Sequence, residues 1–159
     1  MYRLFFIIPS FLLLSLPTIA QSKKEVKKNK IKISAVAKTE EGKTINESKT
    51  VYDKNGNEIE TIDYTKEGSV KSINMLKYNN EGDEIEDLEY NGKNELVEKK
   101  VSKYNMLGEK TEEDFYDADN KLTKKNIYTY DNKGLKTQKT TYDAQGKVLT
   151  IKKFTYIFK

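Results

Sequence analysis

The side chains best suited to acid–base chemistry in this chain are carboxylates, and some come in close pairs, Glu84 with Glu86 and Glu112 with Glu113. A glycosidase uses two such groups across a cleft. Acidic residues recur so regularly here that no pair stands apart from the rest. A second grouping, Asp53, Asn55, Asn57 and Glu58, carries the oxygen donors of a calcium loop. Such a loop has its glycine at position six and a glutamate at position twelve. Gly56 is at the fourth position, the spacing of a turn. The chain has no Cys, His or Trp. Thiolate and imidazole metal sites, disulfides and Ser-His or Cys-His catalysis are thereby excluded. A non-enzyme is expected, with no catalytic residue, no cofactor and no metal site. The remaining candidates are Tyr64, Tyr90, Tyr116 and Tyr142, whose rings could stack on a sugar ligand. The same rings could instead pack across neighbouring strands.

What positions these tyrosines is a repeat. Tyr occurs at 52, 78, 104, 130 and 156, a constant spacing of 26 residues. A second series, at 64, 90, 116 and 142, has the same period and follows the first by 12. Four residues after each Tyr before the last stands Gly or Asn. The first series gives Gly56, Gly82, Gly108 and Gly134; the second gives Gly68, Asn94, Asn120 and Gly146. Gly42 lies one period before Gly68, so an incomplete repeat precedes Tyr52.

Asp and Asn after the Tyr favour the first position of a type I turn, because their side-chain oxygens bond the backbone just ahead. The fourth position must then enter the left-handed region, which Gly and Asn adopt at least cost. Tyr-x-x-x-Gly/Asn therefore predicts a three-residue hairpin loop, with Gly56, Gly68, Gly82, Gly108, Gly134 and Gly146 as structural turn residues. The segments between turns are rich in Thr, Ile, Val, Tyr and Lys and lack a 3.6-residue apolar period, so they read as strands. The prediction is all-β: an antiparallel meander of about ten strands from Ile31 onward, two hairpins per repeat, in a single-layer or curled sheet. The loop type pairs Tyr64 with Val70, Tyr90 with Leu96, Tyr116 with Leu122 and Tyr142 with Val148. At the other edge it pairs Tyr52 with Glu58, Tyr78 with Glu84, Tyr104 with Lys110 and Tyr130 with Lys136. Carrying that count inward predicts the charge pairs Asp63–Lys71, Asp87–Lys99 and Asp83–Lys103.

The ends differ from the repeat. Residues 1–20 hold one charge, Arg3, an apolar run, and small residues at Thr18 and Ala20, the pattern of a cleaved signal peptide with Gln21 as the new N-terminus. An exported protein is expected, periplasmic, at the cell surface or secreted, with no transmembrane segment in the mature chain. Residues 21–30, QSKKEVKKNK, read as a basic flexible leader, and 31–159 as the β-hairpin repeat domain. The 29 Lys and Arg are interleaved with 25 Asp and Glu, so no nucleic acid is expected as partner. The aromatic C-terminal TYIFK would leave an edge able to accept a protein partner by strand addition.

The segments YTYDNKG (128–134), TYDAQGK (141–147), VYDKNGN (51–57) and KYNNEGD (77–83) resemble YD repeats, also called Rhs repeats. That family's motif is Tyr-Asp, two variable residues and Gly, at a period of a little over 20. Here the spacing is 26, and Asp gives way to Asn79, Asn91, Asn105 and Thr65. The resemblance implies the hairpin. Large members of the family form shells around a toxin, and four repeats are too few to enclose one. In composition the chain is also similar to outer-surface proteins with a free-standing, Lys/Glu-rich sheet. The expected function is that of an exported, non-catalytic binding or structural scaffold. The alternative is a carbohydrate- or peptidoglycan-binding module that uses the tyrosine rows.

Overall fold

The computed structural model describes residues 22–159. The expected signal peptide, 1–20, and Gln21 lie outside the described residues. One helix, α1 (Lys23–Asn29), precedes ten strands: β1 (Ile33–Glu40), β2 (Lys43–Tyr52), β3 (Glu58–Tyr64), β4 (Val70–Tyr78), β5 (Glu84–Asn91), β6 (Leu96–Tyr104), β7 (Lys110–Tyr116), β8 (Leu122–Tyr130), β9 (Lys136–Asp143) and β10 (Val148–Lys153). All ten form a single antiparallel sheet in sequence order. The sheet does not close, because β1 pairs only with β2 and β10 only with β9 among the described residues.

The turns form as the residue types require. Asp53 N–H donates to the Asn57 carbonyl, and Gly56 N–H to the Asp53 carbonyl. The Asp53 carboxylate accepts from the N–H groups of Asn55 at 2.7 Å and Asn57 at 2.9 Å. The same pattern recurs at Asn91, Asn105, Asp117, Asp131 and Asp143. Asn94 and Asn120 adopt the left-handed conformation, with φ of 63° and 60°, as the glycines do at the other turns. Only the β1–β2 connection departs from this. Glu41 and Gly42 both have positive φ, the two-residue hairpin turn.

All eight predicted Tyr pairings are present, from Tyr52 opposite Glu58 to Tyr142 opposite Val148. The three charge pairs are not, and the reason is a single residue. Beside each Tyr the partner strand carries a β-bulge, so the count slips by one immediately inside it. Asp63 lies opposite Ser72 instead of Lys71, and Asp87 opposite Lys100 instead of Lys99. Asp83 stays in its turn, hydrogen-bonded to Asn79, while Lys103 lies opposite Glu112.

The leader is corrected as well. Residues 23–29 form a helix, with Ser22 as N-cap and a reciprocal Ser22–Glu25 capping box. Its one apolar side chain, Val26, is buried. Seven residues are too few to be helical alone. Docking on the sheet supplies the rest, with the Lys23 and Lys27 backbone lying directly over Gly56.

Among the described residues no second layer covers the strands. The buried apolar residues among those described are Val26, Tyr52 and Tyr128, whereas Ser102, Glu113, Asp114, Asn126 and Thr140 are buried polar ones. The interior of this sheet is the layer of long side chains lying flat on each face. A recurring bond fixes that layer. The Tyr78 hydroxyl donates to the Glu58 carbonyl at 2.8 Å, Tyr104 to Glu84 at 2.9 Å, Tyr130 to Lys110 at 2.8 Å and Tyr156 to Lys136 at 2.9 Å. Tyr78, Tyr104 and Tyr130 thus tie their strands to the first residue of the preceding strand, Tyr156 does the same for β9 from the segment after β10, and Tyr52 bonds the Ser34 hydroxyl instead. Tyr130→Phe is expected to lose about 1 kcal/mol of stability in urea unfolding, the worth of one such bond. Tyr116→Phe, which removes a hydroxyl with no partner among the described residues, should stay within about 0.5 kcal/mol of the parent.

Candidate binding surfaces

Strand alternation decides what each face carries. Tyr64 shares a face with Ile62, which lies opposite Ile73, itself opposite Tyr90. Leu88, Lys99 and Tyr116 continue that face, and Lys125 opposite Tyr142 completes it. The first series lies on the other face: Leu76, in line with Tyr78, is opposite Asp87, which is opposite Lys100, in line with Tyr104. The two tyrosine series therefore occupy opposite faces and opposite hairpin edges.

Tyr64, Tyr90, Tyr116 and Tyr142 are all half-buried. They stand two strands apart, about 10 Å from ring to ring by strand spacing. They form a row, and the structure does not gather them into a pocket. The Lys99 ammonium lies 5.3 Å from the Tyr116 ring centre.

The paired carboxylates are split by the same alternation. Glu84 and Glu86 flank a bulge and face opposite ways: Lys100 bridges Glu84 at 2.9 Å on one face and Lys77 bridges Glu86 at 2.6 Å on the other. Glu112 and Glu113 alternate likewise. Glu112 sits among Lys103, Lys125 and Asp114, with Lys125 3.2 Å from each carboxylate. Glu113 accepts from Lys110 at 2.9 Å, from Asn126 at 3.1 Å and from the Tyr128 hydroxyl. Thr141 in turn donates to Asn126 at 2.8 Å. Burial would raise the Glu113 pKa, but the hydrogen bonds from Tyr128, Lys110 and Asn126 outweigh it and hold the carboxyl at about 2. Burial, and after it the hydrogen bond to Glu113, raises the Tyr128 phenol. Lys100 is raised despite burial, by its bonds to Glu84 and Asp87. Glu84/Glu86 and Glu112/Glu113 are thus each divided between faces with a lysine on every member, while Glu112 and Asp114 share one face and the lysines Lys103 and Lys125.

The Asp53 group behaves as a turn. Both its carboxylate oxygens are engaged, one by the two N–H groups and the other by Asn57 Nδ2 at 2.8 Å. Among the described residues no cluster of three or more acidic side chains is placed to hold a metal ion. No helix among them is long and apolar enough to cross a membrane.

Two surfaces remain. One is the outer edge of β10 and the segment after it, where Leu149 is 55% exposed, Ile151 53% and Phe158 67%. The other is a crevice of about 650 Å³ between α1 and the β1–β2 hairpin, lined by Val26, Ile31, Ile33, Val51 and Tyr52. The repeat-based reading missed this crevice because it ended at Ile31. The Ser22-x-x-Glu25 capping box was the available signal.

These features define an open, single-sheet hairpin-repeat protein. No family model matches the chain, and no curated protein matches it. The solved structures to which it is similar include two at 17% identity. One is described as the crystal structure of TarM, with a TM-score of 0.32, covering 79% of this chain and 22% of that one. The other is the crystal structure of a GtfA/B complex bound to UDP and GlcNAc, with a TM-score of 0.29, covering 75% of this chain and 24% of that one. The chain spans about a quarter or less of the length of each. TM-scores this low establish neither a shared fold nor shared chemistry.

Proposed function

We propose that this protein is an exported, non-catalytic scaffold of the YD-like hairpin-repeat type, acting in the periplasm or at the cell surface. The observation that carries this reading is the fate of its reactive groups: the sequence-close pairs Glu84/Glu86 and Glu112/Glu113 are each split between faces, and lysine bridges every member. A carboxyl held at about 2, as Glu113 is, makes a poor general base at neutral pH. What the sheet offers instead is surface, two wet faces and an apolar edge at β10 able to take up an extended partner strand. Export is tested by N-terminal sequencing of the protein from expressing cells. A chain starting at Gln21 outside the cytoplasm supports it, and a cytoplasmic chain starting at Met1 overturns it. The purified protein should release no product from peptidoglycan or polysaccharide. Turnover lost on Glu84→Gln or Glu113→Gln would replace scaffold by enzyme.

One observation favours carbohydrate or peptidoglycan as the thing bound. The hydroxyls of Tyr64, Tyr90, Tyr116 and Tyr142 have no protein partner among the described residues, whereas Tyr78, Tyr104, Tyr130 and Tyr156 spend theirs on backbone carbonyls. A row with free hydroxyls at regular spacing suits a linear glycan. The variant Tyr90→Ala/Tyr116→Ala should weaken retention on a glycan column at least tenfold while remaining folded. A row that matters only for packing would give a variant that unfolds and a parent that never bound.

A further inference from the structure

We infer that the crevice between α1 and the β1–β2 hairpin is a binding site for a single-chain anionic amphiphile, an acyl chain ending in a carboxylate. This rests on the crevice alone and stands apart from the scaffold reading. Its size, about 650 Å³, falls in the range of small-ligand clefts. The floor is apolar. Val26 closes it from the helix, Tyr52 and Val51 from β2, and Ile31 and Ile33 from the start of β1. Ile33 is 55% exposed, which leaves apolar surface for a chain to cover.

The rim is cationic, with four lysines around it. On the sheet Lys77, Lys100, Lys103, Lys110 and Lys125 each bridge a carboxylate, whereas others such as Lys49 and Lys71 bridge none among the described residues. Lys27, Lys30, Lys32 and Lys54 line the crevice, and none forms an ion pair with a carboxylate among the described residues. The one acid at the rim, Asp53, has its oxygens committed to its own turn. An apolar floor under an uncompensated cationic rim selects a ligand with the opposite arrangement, an apolar body and a negative head. A neutral lipid would leave the lysines unused, and a cationic amphiphile would be repelled.

The backbone holds this shape without a ligand. The Lys30 N–H caps α1 at left-handed φ 54°, the Ile31 N–H returns to the Val26 carbonyl at 3.0 Å, and the Tyr52 N–H takes the Lys32 carbonyl at 2.9 Å. The floor is therefore preorganised, and binding does not have to order it.

The test titrates the purified protein with oleate below its micellar concentration, with tryptophan-free detection by calorimetry, beside methyl oleate and dodecyltrimethylammonium. Saturable one-to-one oleate binding is expected, at least tenfold tighter than either control. Lys32→Glu/Lys54→Glu, at two exposed positions, should weaken oleate at least tenfold with an unchanged melting temperature. Ile33→Asp, a change to the floor that leaves the rim lysines in place, should weaken it as well. Equal binding of methyl oleate or of the cationic detergent would overturn the proposal, as would unchanged affinity in the charge variant. Capture by anionic phosphatidylglycerol vesicles without any binding of monomeric oleate would also overturn it, in favour of a bilayer contact.

Discussion

Glu113→Ala is expected to lower the unfolding free energy by about 3 kcal/mol, the largest loss from any single side chain on the sheet. The carboxylate is the common acceptor for Lys110, Asn126 and the Tyr128 hydroxyl. Removing it leaves a lysine and two polar groups unpaired on the most crowded part of the face, where Asn126 and Tyr128 are buried. Orphaning buried donors costs about 1–3 kcal/mol for a neutral group and more for a charged one. The depressed pKa expresses the same contacts as a titration. A fall from the ordinary 4.5 to about 2 corresponds to about 3 kcal/mol favouring the folded state at neutral pH. Because the folded value lies below the unfolded one, that stability is complete above about pH 5 and is lost as pH falls towards 2. Urea midpoints measured from pH 7 to pH 2 should therefore drop steeply for the parent and less steeply for Glu113→Gln. Some acid sensitivity should survive in the variant, since Lys103 and Lys125 hold Glu112 at about 2 on the opposite face. An acid limb of identical depth in parent and variant would show that Glu113 is not tied down as described.

Gly56→Ala is the second. Its φ of +80° already costs an alanine about 1 kcal/mol. At Gly56 there is a further obstacle, because an added methyl group would lie 2.7 Å from the Lys23 carbonyl and 3.2 Å from the Lys27 nitrogen. Both are backbone atoms of α1, so the helix must lift. Lifting it exposes Val26, the most deeply buried apolar side chain described. The expected loss is about 2–3 kcal/mol. Gly68 has the same left-handed backbone, with nothing within 4 Å of the corresponding methyl, so Gly68→Ala should cost only about 1 kcal/mol. Asparagine separates the two effects. It occupies the equivalent turn position at Asn94 and Asn120, so Gly68→Asn should be nearly neutral while Gly56→Asn still displaces the helix. Amide exchange at Ile31, whose N–H bonds Val26, should accelerate only in the Gly56 variants. Equal losses at Gly56 and Gly68 would mean that α1 does not rest on the turn.

Most of this fold was legible as text because its information is local. An Asp or Asn followed three residues later by Gly or Asn dictates the hairpin loop through side-chain bonds within five residues and one left-handed φ. The loop then fixes which residue faces the Tyr. Strand number, antiparallel order and all eight Tyr pairings followed. The sequence alone also settled that no thiol or imidazole chemistry is available. The tertiary structure decided the rest, for three physical reasons. The bulge beside each Tyr adds a residue with no composition signal of its own, and a slip of one moves every later charge to a new partner, so Asp87 meets Lys100 and not Lys99. Hydroxyl bonds such as Tyr130 to the Lys110 carbonyl span 20 residues and exist only once β7 and β8 have paired in register. The helix over Gly56 is too short to form by propensity and forms because Val26 finds cover on the sheet. Local turn chemistry wrote the order of the strands, and cooperative packing across them decided what each face presents.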